Sequence, residues 1–173
     1  MKNISLYIPK LEDYWYEEKL QSDPETMSYN AGWDVSYYGY HKDTGCIDFP
    51  KEKWEETYNK RINENKYFAY IKDNDTNEYV GYVNYHYNKS DDRYDCGILI
   101  EAKYRGMGYS RPALELLCET AKNNGIKELY DDFETDRYSA TNLFKSVGFK
   151  EDSKYIFKRF DIDTEILVVK KEL

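Results

Sequence analysis

Tyr104-Arg105-Gly106-Met107-Gly108-Tyr109-Ser110 is the stretch on which the fold of this chain turns. It follows a run with strand character, Tyr94–Glu101, and opens a helix-patterned segment over about 108–124, where Leu114, Leu117, Cys118 and Ala121 recur on one face. The first turn of a helix offers an anion several free N–H groups and the positive end of the helix dipole. Gly106 and Gly108 let the backbone turn tightly, with no Cβ between amide and ligand. Ser110 is small and carries a hydroxyl, Arg105 offers a charge-assisted bond, and Pro112 falls where a missing N–H costs little. The pattern suits a pyrophosphate cradle, although a lone Gly-x-Gly turn also fits an ordinary strand-to-helix connection.

Working outward, Ile4–Ile8 reads as a strand, followed by a helix over 10–21 with Leu11, Tyr14, Trp15 and Leu20 available to its buried side. Residues 22–50 are irregular, and Pro50–Asn65 reads as a second helix carrying Trp54, Tyr58, Arg61 and Ile62. Tyr67–Lys72 and Tyr79–Tyr87 are strands about the hairpin turn Asp73-Asn74-Asp75-Thr76-Asn77. After the cradle helix come a strand over Lys127–Phe133, a helix over 138–147 and two strands near 154–160 and 164–171. The order β-α-α-β-β-β-α-β-α-β-β implies one α/β (α+β) domain over residues 1–173, with a parallel pair among antiparallel neighbours.

Composition narrows the function. The chain has 173 residues, is 40% hydrophobic and carries a net charge of -8, which disfavours nucleic acid and anionic membranes as partners and suits a cationic one. No run is apolar enough to span a bilayer, and the first residues lack the apolar core of a secretory signal. Cys46, Cys96 and Cys118 are odd in number and unclustered, which fits buried thiols in a reducing compartment. His41 and His86 alone are too few for a His-based metal site. The expected location is cytoplasmic, with no metal.

Two motifs lift the cradle above an ordinary turn. Arg105-Gly106-Met107-Gly108-Tyr109-Ser110 resembles the Arg/Gln-x-x-Gly-x-Gly/Ala signature of the GNAT superfamily of acyl-CoA-dependent N-acetyltransferases. Arg137-Tyr138-Ser139-Ala140-Thr141-Asn142-Leu143-Phe144-Lys145-Ser146-Val147-Gly148-Phe149 resembles its later motif, Asn-x-x-Ala-x-x-Leu-Tyr-x-x-x-Gly-Phe. The resemblance implies a mixed, mostly antiparallel sheet with a splayed parallel strand pair, flanked by helices. It implies acetyl-CoA as co-substrate and an amine acceptor, and it leaves a homodimer open. Ile98, Leu99 and Ile100 would then pair with the pantetheine arm, Arg105 to Ser110, Met107 and Tyr109 included, would hold the pyrophosphate, and Arg137 and Phe144 would flank the coenzyme.

Two positions depart from that pattern. Arg137 replaces an Asn and cannot accept a hydrogen bond. Phe144 replaces a frequent Tyr and has no proton to donate, and Tyr138 lies roughly 120° away around the helix. Coenzyme A would then leave as a thiolate, or be protonated by water or a tyrosine outside this motif. The expected pH profile rises once, with no falling limb below about pH 9. Asp95, on the strand before the cradle, is the candidate base. Glu134 and Asp136, preceded by Asp131 and Asp132, would make an acidic acceptor mouth, and Tyr29 and Trp33 from the irregular segment would wall it. The expected reaction is acetylation of a primary amine on a small cationic molecule, without a covalent enzyme intermediate. A protein or peptide N-acetyltransferase and a non-catalytic acyl-CoA-binding module are the alternatives.

Overall fold

The computed structural model describes residues 2–173. Seven strands form one sheet: β1 (Ile4–Tyr7), β2 (Tyr67–Asp73), β3 (Tyr79–Asn88), β4 (Arg93–Ile100), β5 (Glu128–Glu134), β6 (Lys150–Arg159) and β7 (Ile162–Glu172). Their spatial order is β1-β2-β3-β4-β5-β7-β6. The helices are α1 (Trp15–Gln21), α2 (Pro24–Met27), α3 (Trp54–Asn63), α4 (Ser110–Asn123) and α5 (Tyr138–Ser146). Every neighbouring pair is antiparallel except β4 and β5. That parallel pair is joined at one register position, Asp95 opposite Tyr130, beyond which the strands part. The mixed α/β sheet expected from the sequence, mostly antiparallel with one splayed pair, is the one observed.

The period-two alternation of side chains divides the sheet between two layers. Ala69 and Ile71 of β2, Cys96 of β4, and Leu129 and Phe133 of β5 face the layer of α4 and α5. Phe68 and Tyr70 of β2 and Leu99 of β4 face Tyr16, Leu20 and Met27 of the N-terminal layer. Helix α4 buries Leu114, Leu117, Cys118 and Ala121, the face read from the sequence. Each large apolar side chain so buried contributes about 1.5–3 kcal/mol.

Several boundaries differ from expectation. The helix placed at 10–21 is a 3-10 turn, Leu11–Asp13, followed by the shorter α1. Within it Tyr14, Tyr16 and Glu17 are buried while Trp15 is exposed. The inward-facing Glu17 is tolerated because Arg61 donates to both of its oxygens at 2.8 and 2.7 Å, from above the Phe68 ring. A buried carboxylate so paired defeats a count of apolar residues by helical period. Helix α3 likewise begins after a 3-10 turn, and Ile62 is exposed. Residues 22–50 contain the short α2, whose cap Asp23 accepts the amides of Glu25 and Thr26. Strands β6 and β7 meet through Phe160 and Asp161, both at positive φ (48° and 61°), so the hairpin is tighter and its strands longer than the sequence suggests.

Candidate active site

The end of β4, the turn after it and the start of α4 build an anion site from backbone alone. Gly106 and Gly108 take φ of 76° and 84°, a region that a side chain disfavours. A Cβ at either position would meet nothing within 4 Å, so the surface above the turn is open to a ligand. Among the described residues, the amides of Gly106, Gly108, Tyr109, Ser110 and Arg111 meet no acceptor, whereas Arg105 N is bonded to Ala102 O and Met107 N to Tyr104 O. Five open donors at a helix start fit a pyrophosphate. Tyr109 anchors the cradle: its hydroxyl donates to Asp73 at 2.6 Å, and Lys2 Nζ donates to that hydroxyl at 3.2 Å.

The Arg105 side chain does not face the anion site. Its guanidinium donates to the carbonyls of Glu25 (3.0 Å) and Thr26 (2.7 Å), and its Nε to Ile100 O at 3.3 Å. Thr26 Oγ1 accepts the amide of Ala102 at 3.0 Å, and buried Glu101 accepts from Lys19 (2.7 Å) and Tyr16 (3.1 Å). The motif suggests a phosphate partner for Arg105; the structure gives it three carbonyls, two of which tie the cradle to α2.

A cleft of about 570 Å³ runs from the cradle into the gap between β4 and β5. Its wall includes Ile98, Leu99, Ile100, Arg105, Gly106, Gly108, Tyr109, Ser110, Arg137, Phe144 and Tyr29 of the residues singled out from the sequence. Phe144 is buried, edge-on to Phe149 with ring centroids 4.9 Å apart and 5.4 Å from Phe133. The Arg137 guanidinium stacks 5.3 Å from the centre of the Tyr29 ring.

Five expected site residues lie outside this wall: Met107, Asp95, Glu134, Asp136 and Trp33. Met107 is exposed, and its amide closes the turn instead of pointing at the cleft. Asp95 accepts Arg93 Nε and Asn88 Nδ2, each at 2.7 Å, so both oxygens are occupied on the sheet surface. Glu134 is buried and ion-paired with Arg159, which also donates to Ala31 O at 2.8 Å. It is a clamp between β5, β6 and the loop after α2, not an acid at the mouth. Asp136 is exposed, and Trp33 packs 6.0 Å from Phe157 while its Nε1 donates to Tyr29 O at 3.2 Å.

Other polar groups stand at the apex of the gap: Tyr82 and Asn84 of β3, and Asp131 and Asp132 of β5. Asn84 lies flat over Gly97, where an added Cβ would come within 3.1 Å of its Nδ2. The signal for Asn84 in the sequence was Gly97 in the facing strand, a strand glycine with no turn to explain it. Asp132 accepts the Tyr155 hydroxyl at 3.0 Å and lies 3.5 Å from Arg93, which Asp95 also holds. The Asp132 carboxyl, 39% exposed, is raised by its partial loss of water, while Tyr155 and Arg93 pull it down. Asp131 is held well above the usual carboxylate range, by burial first and then by the neighbouring Asp132 charge. Burial also pushes up the hydroxyls of Tyr29 and Tyr82. No group of three or more His, Cys, Asp or Glu among the described residues is placed to hold a metal ion.

No curated relative matches the sequence. Among solved structures, spermidine N-acetyltransferase from Vibrio cholerae in complex with CoA and spermine superposes with a TM-score of 0.78. The match covers 98% of this chain and 95% of that one at 17% identity. YncA from Salmonella typhimurium, solved with its cofactor acetyl-CoA, gives 0.76 over 98% and 94% at 12% identity. Ribosomal-protein-alanine N-acetyltransferase from Brucella melitensis gives 0.73 over 99% of each chain at 17% identity. At such identities the likeness is one of fold. The sequence itself matches the family model described as acetyltransferase (GNAT) family across residues 27–149, from the end of α2 through the cradle to Phe149. With acetyl-CoA as that family's co-substrate and a cradle whose open amides fit its pyrophosphate, the chain belongs to the GNAT family of acetyl-CoA-dependent N-acetyltransferases.

Proposed function

We propose that the protein moves the acetyl group of acetyl-CoA to a primary amine on a small cationic molecule, by direct attack of the amine. The observation that carries this is the continuity of one cleft, about 570 Å³, from the open amides of the cradle to the polar apex at Asn84, Asp131 and Asp132. The amides of Gly106, Gly108, Tyr109 and Ser110 would hold the pyrophosphate, and the β4 edge at Ile98, Leu99 and Ile100 would align the pantetheine arm. Phe144 and Leu143 would pack against that arm. Acetyl-CoA supplies the activated acyl carbon; the chain supplies orientation, which lowers the entropic part of the barrier.

Attack without a covalent enzyme intermediate is supported by the cysteines, as none of Cys46, Cys96 and Cys118 lines the cleft. Cys96 is buried and its thiol is pushed well up, and Cys118 is pushed up to about 11, in both cases by burial. Both are therefore protonated, and poor nucleophiles, near neutral pH. Asp95 is tied up by Arg93 and Asn88, so its part would be to hold Arg93 against Asp132. The amine would lose its proton to water at the apex.

A cationic acceptor is supported by Asp132 at the cleft wall, by the net charge of -8, and by the spermine bound in the Vibrio cholerae relative. The test is thiol release from acetyl-CoA against a panel of polyamines, amino sugars, amino acids and peptides. A polyamine or amino sugar should be acetylated best, with kcat/KM falling as ionic strength rises. A neutral or anionic best acceptor, or a rate indifferent to salt, contradicts the proposal. No helix of the described residues is long and apolar enough to cross a membrane.

A further inference from the structure

A thiol leaving an acyl centre departs either as the anion or with a proton, and Phe144 in the cleft wall has none to give. Strand β5 carries a group that does. Alternation along β5 sends Leu129 and Phe133 into the core beneath α4 and α5, and Asp131 lies midway between them, on the same side. The Phe133 ring is 5.4 Å from that of Phe144, so the Asp131 carboxyl emerges on the Phe144 side of the sheet. Asp131 directly follows Tyr130, the last residue paired with β4, and so stands where the strands begin to part. One of its oxygens accepts the amide of Asp132 at 2.9 Å; the other meets no donor among the described residues.

We infer that Asp131 gives coenzyme A its proton as the sulfur leaves, an assignment that rests on the acetyl-transfer reaction proposed above. The amine nitrogen forms its bond to the acyl carbon, and the tetrahedral adduct collapses with cleavage of the C–S bond. The electron pair goes to sulfur, which takes the Asp131 carboxyl proton and departs as the neutral thiol. The surplus proton on nitrogen passes to water, and Asp131 is reprotonated from solvent before the next turnover.

This step needs the carboxyl protonated near neutral pH, and its surroundings act in that direction. Partial burial in the cleft wall, with some of the side chain still open to solvent, is the largest influence, and the charges of Asp132 on β5 and Asp95 on β4 add to it. The Asp132 amide and the Arg137 guanidinium at the start of α5 oppose it. Cys96 across on β4 and Tyr29 beyond α2 have their own protons held by burial, so they add no charge near neutral pH. An acid of this kind puts a falling limb on the alkaline side of the rate profile, where Phe144 alone would leave none.

The test compares the wild type with Asp131→Asn, which keeps the volume and removes the acid. In the wild type, kcat/KM for the best amine should show a falling limb on the alkaline side. Asp131→Asn should lose that limb and about 100-fold in kcat, with acetyl-CoA affinity by calorimetry nearly unchanged. Difference infrared spectra of the two proteins at pH 7 should show one carboxylic acid present only in the wild type. A wild type without the limb, or a variant that retains it at near-normal kcat, overturns the assignment. If the wild type acetylates no amine, the transferase proposal itself fails; the infrared comparison still decides Asp131, and a carboxylate there at pH 7 overturns it.

Discussion

The Arg105 guanidinium lies 2.7 Å from the carbonyl oxygen of Thr26, so the arginine of the glycine turn faces back into the N-terminal layer. Residues 79 positions apart in the chain are thereby fixed to each other, and the cradle takes its position from α2.

Arg105→Ala should therefore weaken acetyl-CoA binding indirectly, by about tenfold, and cost on the order of 1–3 kcal/mol of stability. Loss of a phosphate-bound cation would flatten the salt dependence of Kd, whereas loss of a strut leaves the slope alone. Calorimetry at two ionic strengths separates them, and a flattened slope would return Arg105 to the phosphates.

Gly108→Trp should keep the fold and abolish acetyl-CoA binding, because its side chain would project into space that holds no protein atom within 4 Å. Its φ of 84° adds roughly 1–2 kcal/mol of backbone strain. Unchanged affinity in a folded variant would place the coenzyme elsewhere.

Glu134→Gln should act on stability alone. It leaves Arg159, with a quarter of its side chain exposed, facing a neutral amide, at a cost of about 2 kcal/mol and a melting point several degrees lower. The salt dependence of the acceptor's kcat/KM should not move. A change there would restore Glu134 to the acidic mouth.

The Asp73 carboxyl is held below its usual value, first by the Tyr109 hydroxyl and then by the amides of Thr76 and Asp75. A depressed folded value means that its stabilising effect is present above the unfolded value, near pH 4, and disappears as pH falls through the lower folded value. Asp73→Asn should thus be less stable than the wild type at pH 7 and converge with it as pH falls through the depressed folded value. Denaturant melts across that range check the sign; a gap that widens in acid would refute it.

The fold was legible because its decisive features are local. The cradle glycines, the apolar face of α4 and the Ala140-x-x-Leu143 spacing need only neighbours in sequence. What was not legible depends on distant partners. Nothing near Glu134 signals that Arg159 will neutralise it. Arg93 and Asn88 are close to Asp95 in sequence, but only the β3–β4 pairing turns both side chains onto its oxygens. The Phe160-Asp161 turn lacks the Asn-Gly or Asp-Gly that would announce two residues at positive φ. Ring packing against Gly32, where an added Cβ would fall 2.4 Å from the Phe160 ring, shows why a bulky residue is accepted there.

The single backbone pair between Asp95 and Tyr130 makes the sheet two half-sheets sharing one seam. Edge amides along Gly97–Ile100 and Asp131–Phe133 that face the gap have no strand opposite, so deuterium from solvent should reach them early while the paired flanks of β3 and β7 stay dark. A bound coenzyme arm would act as the absent eighth strand. Its arrival should then be traceable amide by amide as a slowing of isotope uptake on the two lips of the seam, and as a rise in the temperature at which the halves come apart together.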